Sequence, residues 1–399
     1  MKQVQTIFSL SEQYYRLCQW IEEKLDTPHW LLYLTLFCAI LSWFLAVPPY
    51  TILAGADAWA FVKIQAQDIL HPYGYEVYIR RENMVMRWVL PLLSYLTGHN
   101  VIFIVVIQGL LGCAFLYLMA REVFQQTADK VVTAFFALAL SNMFVFSWFL
   151  VDMAGYGDGF AYFFLLLALF VRNPFLLFVC LQLAFFTDER AIVAGGYVIL
   201  WWMARTLVAQ KEASTLESVA KSAFIPATWV VISAWILYFI FRRYIMSTYF
   251  SFHEYTTEGT PVLFADDHRA GLGNSLWTSF EGAWLLLGAA GYVLYKAQQR
   301  WLLVALLTGF LVLITTGIFV HDIDRAYGYG FPFLLISSLV LAKMVPLPEY
   351  RKLLFVMALI CVIHPMCYTL GYNKVVWAEP LPLKAVMFLD RWTGWGWFN

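Results

Sequence analysis

The chain has 399 residues, 62% of them hydrophobic and only 13% charged, and its formal net charge is zero. Balanced charge without a long lysine and arginine run gives no sign of nucleic acid as a partner, and none is expected. Six cysteines with no Cys-x-x-Cys pair support neither a disulfide framework nor a thiolate metal site.

Many apolar runs approach the roughly 20 residues that span a hydrocarbon core about 30 Å thick. Backbone polar groups must be satisfied internally in lipid, so such runs are expected as helices; barrel strands would appear as alternating segments of about ten residues. The expected class is all-α, a polytopic transmembrane helix bundle. Residues 1–28, polar and amphipathic in "SEQYYRLCQWIEEKLD", are expected to lie along the cytoplasmic membrane surface rather than to form a cleaved signal. Spans are expected near 29–48, 100–120, 131–151, 157–171, 174–187, 190–205, 223–241, 281–296, 301–320, 326–342 and 353–371, with Arg172-Asn173-Pro174 closing a tight helical hairpin. These eleven segments place the termini on opposite sides. The expected organisation is a cytoplasmic segment 1–28, a membrane domain 29–371 and an external aromatic tail 372–399.

With the N-terminus inside, the external face receives the longer segments 49–99 and 242–280 and three charge-dense turns, "VDMAGYGDG", "TDER" and "HDIDR". Asp57, in "ILAGADAWAF", is read either as the cap of an interfacial helix running to Leu70 or as a functional acid in a polar cavity. Arg80, Arg81 and Arg87, in "YIRRENMVMRWVLP", either recognise a phosphate through guanidinium forks or form a headgroup-facing charge cluster. Asp152 and Asp158 bracket two glycines and a tyrosine. Asp188 is a candidate cap for the next helix, and Arg190 a partner for Asp188 or Glu189.

In the last turn, His321, Asp322, Asp324 and Arg325 stand together. Asp322 and Asp324 fall on one side of an extended turn, where they can share a proton or a divalent cation, or about 200° apart on a helix. Tyr327 and Tyr329 supply a wall for a sugar or lipid headgroup. Segment 242–280 holds His253, Glu254, Asp266, Asp267 and His268 without a zinc-ligand spacing, so no metal site is expected there. Acids from several turns follow apolar runs within one or two residues, which points to a shared wet cavity at the external boundary.

Together "AGADAWAF", "IRRENMVMRWVLP", "VDMAGYGDG", "TDER" and "HDIDRAYGYGFP", spread over residues 30 to 345, resemble the GT-C class of polytopic glycosyltransferases. This chain has one acid after its first span where some such families have a pair. The resemblance implies an inverting transferase that takes a sugar from a polyprenyl-phosphate donor and passes it to a glycan, lipid or protein acceptor on the non-cytoplasmic face, in a bacterial-type inner membrane. It implies a catalytic base, Asp57 first and Asp152 or Asp188 next, and phosphate-binding arginines Arg87, Arg190 and Arg325. Two other readings compete: a transporter or flippase of an anionic or lipid-linked substrate, and a polysaccharide polymerase using the same lipid-phosphate chemistry.

Overall fold

The structure is a computed structural model that describes residues 10–50, 53, 57–70, 84–210, 214–249, 266–320, 322–364, 367–370 and 374–397. The described chain is helical except for one small hairpin. In order it forms α1 (Leu10–Lys24), α2 (Trp30–Leu45), α3 (Asp57–Gln67), α4 (Val89–Leu96), α5 (Val101–Thr127), α6 (Lys130–Ser141), α7 (Phe144–Val151), α8 (Asp158–Phe170), α9 (Pro174–Phe185) and α10 (Arg190–Ala209). Then come α11 (Leu216–Ala223), α12 (Pro226–Tyr249), α13 (Asp266–Phe280), α14 (Ala283–Lys296), α15 (Arg300–Ile318), α16 (Ile323–Gly328), α17 (Phe331–Met344) and α18 (Leu347–Ile363). Strands β1 (Cys367–Leu370) and β2 (Lys374–Trp377) pair antiparallel before α19 (Leu381–Thr393).

Every expected span contains a helix, but only α5, α10, α12 and α15 are individually long and apolar enough to cross a membrane. The α6–α7 pair makes a fifth if taken as one span bent by 55° at Asn142 and Met143. Helix length does not confirm eleven full spans: α8 has 13 residues, α9 has 12 and α17 has 14. At 1.5 Å per residue these are about 18–21 Å long, against about 30 Å of hydrocarbon. Several long apolar helices are compatible with a membrane protein, and the outward faces of α5, α12 and α15 carry exposed Phe103, Leu110, Leu237, Ile240, Leu307 and Leu311. Contiguous apolar surface of that kind is unusual on a water-facing monomer.

Other boundaries move for local reasons. The last expected span, 353–371, is displaced: α18 starts at Leu347, where Pro346 and Pro348 favour a helix start, and stops at Ile363. His364 precedes Pro365, takes an extended backbone with ψ 121°, and so ends the helix. α14 begins at Ala283 and leaves Glu281 in a turn; α12 runs on to Tyr249, past the expected boundary at 241. α3 ends at Gln67 rather than Leu70. At the expected tight hairpin, the Asn173 side chain accepts from the Phe175 and Leu176 amides, Pro174 opens α9, and α9 packs back along α8.

Hydrogen bonds sort the turns into two ends of the bundle. At one end Arg351, opening α18, clasps Asp129, the N-cap of α6, and also reaches Glu22 of α1 at 2.7 Å. Near the same end Arg205 of α10 meets Glu122 of α5 at 3.5 Å, Gln126 accepts from Ser338 of α17, and Gln299 accepts from the Ser214 amide. The opposite end carries the turns after α7, α9 and α15.

Candidate functional site

Three turns meet at that opposite end, around Asp158. As the first residue of α8, Asp158 sits where the helix dipole and free amides favour a carboxylate. It is fully buried and accepts from Arg190 Nη2 at 2.9 Å, Arg325 Nε at 2.7 Å, Trp148 Nε1 at 3.1 Å and the Tyr329 hydroxyl at 3.3 Å. Arg190 also grips Asp188 through Nε at 2.8 Å and Nη2 at 2.7 Å, and its own amide donates to the same carboxylate; the N-cap position of α10 is Glu189, which makes no capping bond, so Asp188 is not the cap that was expected. Arg87 completes the row: Nε and Nη2 form a fork on Glu189 at 2.9 and 2.8 Å, and Nη2 lies 3.1 Å from Asp188. Arg325 Nη1 donates to Asp322 at 2.7 Å.

The result is a chain of alternating charges, Glu189–Arg87–Asp188–Arg190–Asp158–Arg325–Asp322, that runs from a partly exposed rim at Glu189 through a buried centre to a second rim at Asp322. Burial acts to raise the Asp188 carboxyl, and Arg190 and Arg87 outweigh it, holding it well below the usual carboxylate range. Each of the three arginines keeps one terminal nitrogen without a hydrogen-bond partner among the described residues, Nη1 in Arg190. Arg325 Nη2 is buried without a hydrogen-bond partner, while the Tyr156 ring covers its guanidinium at 3.9 Å. Arg87 uses Nε and Nη2 and keeps Nη1 without a partner among the described residues.

Several candidates have other duties. The Asp152 carboxylate accepts from the amides of Gly155, Tyr156 and Gly157 at 3.1, 3.4 and 3.0 Å, closing the 152–157 turn on itself. The turn needs φ of +88° at Gly155 and +81° at Gly157, which glycine adopts without strain. Burial and neighbouring Asp158 raise the Asp152 carboxyl above its ordinary value, partly offset by Arg325 and the turn amides. Asp324 faces away from the row and accepts from the Thr278 and Ser279 hydroxyls of α13 at 3.0 and 3.1 Å. Because residues 323–328 are helical, Asp322 and Asp324 diverge; the extended-turn reading, with a shared proton or divalent cation, is corrected. Tyr327 points at the Ile314 carbonyl, 3.3 Å away, and it is Tyr329 that joins the site.

Asp57 opens α3, and its side chain lies outside the described atoms, as do Arg80, Arg81, His321, His253 and Glu254. Two residues on, Trp59 fixes the start of α3 to the 152–157 turn: its indole donates to the Met153 carbonyl at 2.8 Å, and its ring packs on Gly155. From α5, Gln108 donates to the carbonyls of Phe149 and Asp152, tying down the end of α7. Trp148 and Gln108 escaped the sequence reading, because each sits inside an apolar run as an ordinary helix residue. Tyr156 had a visible signal, an aromatic set between two glycines.

Among the described residues no group of three or more His, Cys, Asp or Glu side chains converges to hold a metal. No protein-family model, curated protein or solved structure matches the chain.

Proposed function

We propose that this chain is a multi-pass membrane glycosyltransferase that moves a sugar from a polyprenyl-phosphate donor to a glycan, lipid or protein acceptor at the charged end of the bundle. In this reading the eleven apolar segments alternate between the two polar ends, the short ones crossing a locally thinned bilayer. The charged end faces the non-cytoplasmic side, and the membrane is of the bacterial inner-membrane type.

One observation carries the reading. Arg87 and Arg325, at or near the two ends of the row, each keep an unspent N–H edge, one buried and one near the surface. A phosphate satisfies such edges better than water does, since charge-assisted hydrogen bonds are roughly twice as strong as neutral ones. The carboxylates of the row outnumber its guanidiniums, so a bare anion gains nothing from the site as a whole. It would dock at one of the unspent guanidinium edges, where the leaving phosphate would be stabilised as the glycosidic bond breaks.

Asp57 is the base in this scheme, accepting the acceptor hydroxyl's proton. Asp188 is ill suited to that role, because a carboxylate held far below neutral pH by two arginines has little affinity for a proton. Asp152 spends its oxygens on the turn amides. A transporter would instead carry ionisable groups at mid-depth on broken helices.

The test uses the purified chain in lipid nanodiscs with radiolabelled polyprenyl phosphate and a panel of polyprenyl-phosphate sugars. Saturable binding of polyprenyl phosphate is expected, and Asp57→Asn should keep that binding while losing sugar release by about a hundredfold or more. Failure of the wild-type chain to bind polyprenyl phosphate ends the proposal; full turnover by a folded Asp57→Asn variant removes Asp57 from it.

A further inference from the structure

Glu281 lies in the turn between α13 and α14, away from the arginine row. It is 1% exposed, its φ is +44°, and neither carboxylate oxygen has a hydrogen-bond partner. A non-glycine residue in the left-handed region is strained, and it persists only where its surroundings over-determine it. Here the surroundings are specific. The Glu281 amide donates to the Trp277 carbonyl at 2.6 Å, and a Cβ on Gly282 would meet the Met357 carbonyl at 2.5 Å, so the start of α14 lies hard against α18.

Just past the end of α18, His364 Nδ1 stands 3.6 Å from Glu281 Oε1, while His364 Nε2 is 3.0 Å from Trp277 Nε1. An indole N–H can only donate, so Nε2 is the acceptor and the neutral ring carries its proton on Nδ1, facing Glu281. At 3.6 Å that proton is too far for a full hydrogen bond. The pocket therefore suits a neutral carboxyl and offers an ionised one no cation but the His364 ring, which is charged only when protonated. The same helix, α13, ends in Thr278 and Ser279, which hold Asp324, the neighbour of Arg325.

We propose that Glu281, His364 and Trp277 form a proton-controlled latch: with Glu281 neutral, the α13–α14 turn is closed on the end of α18, and loss of its proton opens the turn and frees the end of α13. Burial pushes the Glu281 carboxyl up to about 7, with His364 and Cys361 offsetting part of the rise. The groups facing it are Trp277 from α13 and Cys361 and His364 from α18 and its end; α14 supplies none, and no lysine or arginine among the described residues acts on it. The sign follows from linkage: a raised carboxylate leaves stability fully present below its ordinary value, and that stability is lost as pH rises through about 7.

Hydrogen exchange of the full chain in nanodiscs tests this directly, with rates at pH 6 and pH 8 corrected for intrinsic base catalysis. Peptides covering 277–284 and 360–364 should exchange at least tenfold faster at pH 8 in the wild-type chain, and Glu281→Gln should stay slow at both pH values. Equal corrected rates in the wild-type chain overturn the latch, whether or not the variant folds. An equal pH step in a folded Glu281→Gln overturns the assignment to Glu281. The readout is exchange rather than sugar transfer, so it stands apart from the proposed activity.

Discussion

Replacing Asp158 by Asn tests where the energy of the charged row resides. Asp158 is fully buried and accepts from two guanidiniums, an indole and a phenol. Hydrogen bonds to charged groups contribute about 1.5–3 kcal/mol each, and breaking a buried ion pair typically costs about 3–5 kcal/mol because a charge is left without a counter-ion. In Asp158→Asn neither cation is wholly abandoned, since Arg190 keeps Asp188 and Arg325 keeps Asp322. The loss should therefore fall near the low end, about 3 kcal/mol. Glu189→Gln removes the rim carboxylate, whose side chain is 27% exposed and whose partner Arg87 keeps Asp188, so its cost should be about 1 kcal/mol or less. Unfolding in detergent, followed by tryptophan fluorescence at a fixed scan rate, gives the order of the two midpoints even if unfolding is irreversible. If Glu189→Gln lowers the midpoint as much as Asp158→Asn does, the buried centre is not what holds these turns together and the reasoning fails.

The depressed Asp188 carboxyl contributes stability that is present above its ordinary value near 4 and lost as pH falls toward its folded value. The wild-type midpoint should drop steeply below about pH 4, and a folded Asp188→Asn chain should show a shallower acid limb; parallel acid limbs would contradict the assignment. Gly155→Ala places a Cβ 2.6 Å from the Trp59 ring at a φ of +88°, and should cost about 1–3 kcal/mol through overpacking and strain. Gly109→Ala is its control, because nothing lies within 4 Å of the added methyl and helix propensity favours alanine by up to about 1 kcal/mol. Equal midpoints for the two alanine variants would count against the packing of Trp59 on the turn.

Helix positions were legible because composition alone decides them: an apolar run cannot leave its backbone unpaired in lipid, whatever its neighbours are. Helix lengths were not, because length depends on local events such as the Asn142–Met143 bend and the pre-proline stop at His364. The site shows the same division. Acids and arginines at the edges of apolar runs were visible one by one. Which acid serves which partner was hidden, because Asp158 and Arg325 lie 167 positions apart in the chain. Asp152 and Asp324 look like Asp158 in sequence, yet one closes its own turn and the other holds two hydroxyls of α13. Glu281 drew no attention because nothing nearby in sequence marks it; its significance depends on His364, 83 positions later.

The unequal lengths of the helices carry a consequence for the choice of membrane. A 13-residue α8 beside a 27-residue α5 cannot match one uniform slab of hydrocarbon. Each ångström of mismatch costs a fraction of a kcal/mol, so the chain should favour bilayers with shorter acyl chains and partition away from thick, sterol-rich ones. Reconstituted into vesicles of graded chain length, it would then act as a gauge of bilayer thickness.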